Sequence, residues 1–320
     1  MESTNPWPEL LGSNNWEGIL DITLRTLILR CGDFCQATYD AFNNDGNSNR
    51  DLEWINVLGV ANTSVEPLLR QRKFCPSTDS DADEDENEGV PKVMQGWLKI
   101  YTSDNPNSSF TKLSARTQVL TGIKQLVAKY EKEDISIIIT GHSLGACLST
   151  LSAFDLAENG ITNIPISAFV FGSPQVGNQA FNDRLNQFSN VKILHVRNKI
   201  DLLTRYPSRL LRYRDSGVPF EIDTRKSGSL KRSMNNGDWH NLQGMLHVVA
   251  GWNGEDGESE LKVSRSLALV NKSSEFLKDE YLIPGSWWVE KNKGMVMNEN
   301  GDWVLEPPDE EDIPVPEYEE

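Results

Sequence analysis

The stretch Ile135-Ser-Ile-Ile-Ile-Thr-Gly-His-Ser-Leu-Gly145 decides the fold of this 320-residue chain. Residues 135–140 are rich in β-branched side chains and have no helical period, which predicts a buried strand. Gly141-His-Ser-Leu-Gly145 follows at once, and a helical pattern then continues to about Glu158. A strand running through G-x-S-x-G into a helix forces the serine into a strained turn and exposes its hydroxyl at the carboxyl end of the sheet. Ser143 is therefore the candidate nucleophile. Gly141 and Gly145 are expected because a Cβ at either position would strike the neighbouring strand or helix. Leu144 opens the helix, so its backbone N–H faces an oxyanion formed at a carbonyl attacked by Ser143. The plainer alternative is a pair of glycines that only closes a tight strand-to-helix turn.

Before this strand, Leu113, Leu120, Ile123, Val127 and Tyr130 form one stripe of an amphipathic helix. After it, residues 166–171 and 191–196 are further apolar strand candidates, with a helix-compatible stretch over 179–188 between them. Helices alternating with continuous apolar strands predict an α/β fold, a parallel-rich sheet with helices on both faces. Residues 16–42 read as a helix, with Ile19, Ile22, Leu24, Leu27, Ile28 and Phe34 mostly three to four apart. The Asn-, Gly- and Asp-rich stretch 41–51 predicts a turn or loop, and LEWINVLGV after it fits helix or strand. No convincing strand precedes Ile135. The last forty residues, with Trp287, Trp288 and Trp303, predict an irregular wrap. A chain of this length fits one large domain over 1–320, with a core that needs neither disulfide nor metal.

A serine nucleophile needs a base, and the chain has four histidines. His142 lies inside the elbow and is expected to point away from Ser143. His195 falls in a strand candidate and reads as a core residue. His240 and His247 are seven residues apart in GDWHNLQGMLH. His240 follows a turn that can aim it, whereas His247 sits among Leu246, Val248 and Val249; His240 is the preferred base and His247 its rival. An orienting acid is expected after a strand and between serine and histidine in the chain. Asp201 comes five residues after Val196, at a strand's carboxyl end, and would hold the imidazole by its second nitrogen. Its competing role is a helix cap or a pair with Arg197 or Arg205. Asp155, Asp183 and Asp215 are rivals that do not directly follow a strand.

The net charge of −16 is concentrated in two places. Residues 79–88 hold seven acids and residues 306–320 hold eight, with no base in either. The rest of the chain is nearly neutral, which argues against nucleic-acid binding and against adsorption to anionic lipid by charge alone. The acidic run 79–88 predicts a solvated loop and 306–320 a disordered tail. Its D-S-D-A-D-E-D-E lacks the Gly and terminal Glu of an EF-hand, so a calcium site is disfavoured. The first thirty residues lack a basic cluster and an apolar run, and no stretch of eighteen apolar residues occurs. A cytoplasmic protein without a transmembrane anchor is expected. Cys31, Cys35, Cys75 and Cys147 read as free thiols, with no metal site and no cofactor.

The motifs GHSLGACLS, FGSPQVGN, ILHVRNKIDLLTRYP, GDWHNLQGMLHVVAGWNG and PGSWWVEKNKGM, with the amino-terminal WPELLGSNNWEGILDITLRTLILRCGDFCQATYDAF, resemble those of the class 3 lipases, within the α/β-hydrolase superfamily. The resemblance is specifically to plant type II phospholipases A1 and covers most of the chain. It implies a cytosolic acylhydrolase that cleaves phospholipids at the sn-1 ester through Ser143, Asp201 and His240, acting on lipid at an interface. Members of that family carry a longer segment between the ATYDAF-like and EWINVLG-like stretches. That segment supplies early sheet strands and an R-G-T turn with a second oxyanion donor. Here only ten residues separate Phe42 from Glu53. The resemblance thus implies a sheet lacking its early strands and an oxyanion hole with Leu144 as its donor, with Trp54–Leu58 near the lid region. The alternative reading is a catalytically impaired, lipid-binding or regulatory remnant, or a truncated gene product.

Overall fold

The computed structural model describes residues 6–17, 21–41, 89–107, 112–207, 209–254, 257, 260–289 and 291–306. The acidic run 79–88, the LEWINVLGV stretch, Cys75 and the tail beyond Glu306 lie outside the described residues. A short helix α1 (Trp7–Leu10) precedes a long helix α2 (Ile22–Ala41). The expected helix over 16–42 begins later. Trp16 has φ +54°, and Asp21 Oδ1 accepts the Leu24 N–H at 2.7 Å, capping the first turn. Helices α3 (Gln95–Thr102) and α4 (Ala115–Lys129) follow, the latter capped by Ser114. Leu113, placed in the helical stripe by its spacing, lies just before this cap and is exposed.

A parallel sheet then forms from β1 (Ile137–His142), β2 (Ile166–Phe171), β4 (Val191–Asn198) and β6 (Val218–Ile222), in that spatial order. Between them come α5 (Leu144–Glu158), the two-residue strand β3 (Gly177–Asn178), α6 (Gln179–Asn186) and β5 (Tyr213–Arg214), which pairs with β3. The registers Ile137↔Ile166, Ile166↔Val191 and Leu194↔Val218 bring the carboxyl ends of the strands together. Among the described residues β1 pairs only with β2 and no strand of this sheet precedes it. The first strand starts two residues later than expected, and β6 escaped prediction.

Side chains alternate across the sheet, as a pleated strand requires. Phe169, Phe171, Leu194 and Val196 face one side, packed on Ile28, Leu29 and Cys35 of α2 and on Met245, Leu246 and Val249 of helix α8 (Leu242–Gly251). Ala168, Val170 and Ile193 face the other, packed on α5, with α4 and α3 beyond it. Helices therefore cover both faces. Helix α5 is apolar all round because it lies between the sheet and those outer helices. Its Asp155 is buried but paired with Arg116, two guanidinium nitrogens meeting two carboxylate oxygens at 2.6 and 2.9 Å. Arg25 of α2 reaches the carbonyls of Val249 and Trp252 at the end of α8, tying the two helices that share one face. No helix among the described residues is long and apolar enough to cross a membrane.

The carboxyl-terminal region is more regular than a simple wrap. A hairpin of β7 (Met295–Met297) and β8 (Trp303–Leu305) packs with Trp287, which is fully buried against Trp303 at a ring separation of 4.6 Å.

Candidate active site

Ser143 occupies the turn between β1 and α5 with φ +57° and ψ −123°. A non-glycine residue in that region stores about 1–3 kcal/mol of backbone strain. Its N–H donates to the Phe171 carbonyl at 3.0 Å, so the turn is pinned to the end of the neighbouring strand. Leu144 is the first helical residue, and its N–H belongs to the first turn, where a helix's donors lack intrahelical partners. The two elbow glycines differ. A Cβ at Gly141 would lie 2.2 Å from the Gly145 carbonyl oxygen, so only glycine fits. A Cβ at Gly145 would meet nothing within 4 Å among the described residues, which overturns the expectation of a clash there.

His240 is set by a short, heavily capped turn. Asn235 accepts the Gly237 N–H at 2.9 Å to start helix α7 (Asn236–Trp239), and Asn241 accepts the Gly244 N–H at 2.7 Å to start α8. His240 stands between the two caps and is buried. Its Nδ1 lies 2.5 Å from Asp201 Oδ2. Asp201 follows β4 by three residues and is fully buried, while its Oδ1 accepts the Leu203 N–H at 2.9 Å. The structure thus brings Asp201 and His240 together. His240 Nε2 is buried and has no hydrogen-bond partner among the described residues, so Ser143 makes no hydrogen bond to it.

Two contacts link Ser143 and His240 nonetheless. Phe171, which accepts the Ser143 N–H, precedes Gly172, and a Cβ on Gly172 would lie 2.9 Å from His240 Cε1. Gly172 also has φ +55°, so a side chain is excluded twice. His142 does not stand apart from the site: its ring lies 4.7 Å from that of His240. His142 Nε2 is 2.9 Å from the His240 carbonyl, which can only accept, and Nδ1 is 2.7 Å from the Tyr39 hydroxyl. His142 is therefore a neutral Nε2–H tautomer that takes the Tyr39 proton donor at Nδ1. Burial, and then the nearby His240, push its pKa down to about 3. Tyr39 has a half-exposed ring, but desolvation of its hydroxyl pushes its pKa up to about 12, so it keeps its proton. These neighbours of His240, namely Tyr39, His142 and Gly172, were missed as such; FGSP and GHS were visible only as motifs.

The other candidates are occupied elsewhere. His195 Nε2 accepts the Ser173 N–H at 3.0 Å, and burial followed by Arg197 lowers its pKa to about 4. His247 is 2.9 Å from Ser227 Oγ and is likewise lowered to about 4 by burial and then Arg265. Asp155 is bound by Arg116, Asp183 accepts from Gln179, and Asp215 accepts from Arg197 and Arg209. Cys31, Cys35 and Cys147 are buried free thiols whose pKa values burial raises to about 12. No cluster suited to a metal ion occurs among the described residues.

The family profile described as Lipase (class 3) matches residues 48–211. Phospholipase A1-IIdelta of Arabidopsis thaliana is 47% identical, with 99% of each chain covered. The chain belongs to the class 3 lipase family. Phospholipase A1-II 5 of Oryza sativa subsp. japonica is 41% identical, covering 98% of this chain and 85% of the relative. The first of these alignments runs over 412 positions, more than the 320 residues here, so this class 3 lipase lacks internal residues that its relative carries. A solved triacylglycerol lipase from Penicillium expansum overlaps 47% of this chain and 52% of its own at 22% identity, with a TM-score of 0.35.

Proposed function

We propose that this class 3 lipase is a serine acylhydrolase that cleaves the sn-1 ester of phospholipids. The Asp201–His240 pair carries the reading: a buried carboxylate orients an imidazole whose other nitrogen has no partner among the described residues, and the ring of His142, the residue before Ser143 in its strained strand-to-helix turn, packs on that imidazole. The names of its relatives, phospholipases A1, support the substrate class and the position of cleavage.

On this reading His240 Nε2 takes the Ser143 proton as Oγ attacks the ester carbonyl. Asp201 keeps the proton on Nδ1 and stabilises the imidazolium that forms. The Leu144 N–H faces the oxyanion, and collapse of the tetrahedral intermediate expels the lysophospholipid with the proton from His240. Water, deprotonated by the same nitrogen, then releases the fatty acid from Ser143. The protein acts in the cytoplasm at a lipid surface, which the three buried free thiols suit.

The test uses phosphatidylcholine with different acyl groups at the two positions and mass spectrometry of the products. Release of the sn-1 acid that vanishes in Ser143→Ala is expected. Equal release by that variant, or release from sn-2 alone, would overturn the assignment.

A further inference from the structure

One cavity outside the Ser143–His240 region combines charge with an unused buried polar group. Its volume is about 420 Å³. Arg197, Lys199, Arg205 and Arg209 line it together with two carboxylates, Asp215 and Glu221, so cations outnumber anions by two. Arg197 spans both carboxylates at 3.3 and 3.2 Å, and Arg209 reaches Asp215 at 3.0 Å. The Arg205 side chain has no ion pair or hydrogen bond among the described residues. Gln175 also lines the cavity and is only 2% exposed. Its Nε2 donates to Asp215 Oδ1 at 3.3 Å, which leaves Oε1 buried without a donor among the described residues. Buried amide oxygens are almost always paired. The cavity therefore suits an anion that also carries an O–H or N–H.

The cavity borders the catalytic pair. Thr204, on its wall, donates through Oγ1 to the Asp201 carbonyl at 2.9 Å. Asn198, also on its wall, donates to the carbonyl of Trp239, the residue before His240, at 2.8 Å. In sequence the arginines alternate with Leu202, Leu203, Tyr206, Leu210 and Leu211, all of which are exposed. Exposed apolar side chains beside arginines suit the surface of a lipid aggregate.

We propose that this cavity binds the phosphate of a glycerolipid headgroup, with Gln175 Oε1 accepting a hydrogen bond from a headgroup hydroxyl or ammonium. Arginines would hold the phosphate oxygens by charge-assisted hydrogen bonds. The lipid source rests on the acylhydrolase reading above, whereas the phosphate chemistry does not; a free phosphate is the other source.

Calorimetric titration of the full chain carrying Ser143→Ala, which prevents turnover, separates these sources. The ligands are monomeric dihexanoyl-phosphatidylglycerol, its deacylated headgroup glycerophosphoglycerol, and inorganic phosphate. One-to-one binding of the first two is expected, at least tenfold tighter than inorganic phosphate. Arg205→Gln and, separately, Arg209→Gln should each weaken it about tenfold with unchanged circular dichroism. Inorganic phosphate binding as tightly as the headgroup would overturn the lipid assignment. No binding, or binding indifferent to both arginines, would overturn the site altogether. Ser143-dependent phosphatidylcholine hydrolysis that persists while headgroup binding fails sinks this inference alone. Binding that persists without such hydrolysis sinks the acylhydrolase reading alone.

Discussion

Asp201 Oδ2 lies 2.5 Å from His240 Nδ1, joining two buried residues that are 39 positions apart in the chain. The carboxylate is held at both oxygens, since Oδ1 accepts the Leu203 N–H. Asp201→Asn preserves the size and the Oδ1 contact but favours the wrong imidazole tautomer. Turnover of an ester substrate should fall by about 10³–10⁴, with little change in melting temperature. A loss below tenfold in steady-state kinetics would remove Asp201 from the relay.

The elbow glycines are predicted to behave oppositely. Gly141→Ala drives a Cβ into the Gly145 backbone at 2.2 Å, and such overpacking costs about 3 kcal/mol. Gly145→Ala meets open space inside a helix, where alanine is favoured by up to about 1 kcal/mol. Urea unfolding of the two variants checks this; equal destabilisation would show that the elbow packs differently.

Gly172→Ala should strike the base. The new Cβ would stand 2.9 Å from His240 Cε1 and 3.2 Å from Met245 Cε, on a backbone with φ +55°. A displaced imidazole predicts a loss in kcat of about 10² or more, exceeding any rise in KM, together with roughly 1–3 kcal/mol of destabilisation. Wild-type kcat in a folded variant would mean that Gly172 does not fix the ring.

Acid should destabilise the fold through His195 and His247. Both are buried and neutral, with pKa values lowered to about 4 from an ordinary value near 6.5. The unfolded chain therefore binds protons that the folded chain refuses as pH falls from 6.5 to 4, and stability drops across that window. At pH 5 each imidazole accounts for about 2 kcal/mol. Urea midpoints from pH 7 to 4 read the effect, and His247→Asn should reduce it without abolishing it, because His195 and His142 are still held neutral. A flat profile in the unsubstituted chain would show that these rings are not held neutral.

Much of this arrangement was legible from side-chain chemistry. Ile166–Phe171 is buried on both faces and reads as a continuous apolar strand, so its observed bounds match the expected ones. His240 was legible through the Gly-Asp-Trp turn before it, and Asp201 through its place after a strand. The strand Val218–Ile222 was not, because Pro219 and Glu221 break its apolar pattern. Among the described residues it is an edge strand paired only with β4, where a proline's missing N–H costs no ladder bond on the open side. The packing of His142 on His240 and the open space at Gly145 depend on distant backbone that no local pattern encodes.

Labelling the purified chain with a fluorophosphonate, against Ser143→Ala, tests most directly whether Ser143 and His240 form a working centre. Stoichiometric labelling at Ser143, lost in that variant and slowed in His240→Ala, is the predicted result. A folded chain that takes up no label, or labels equally without Ser143, would contradict the account and favour a non-catalytic lipid-binding protein.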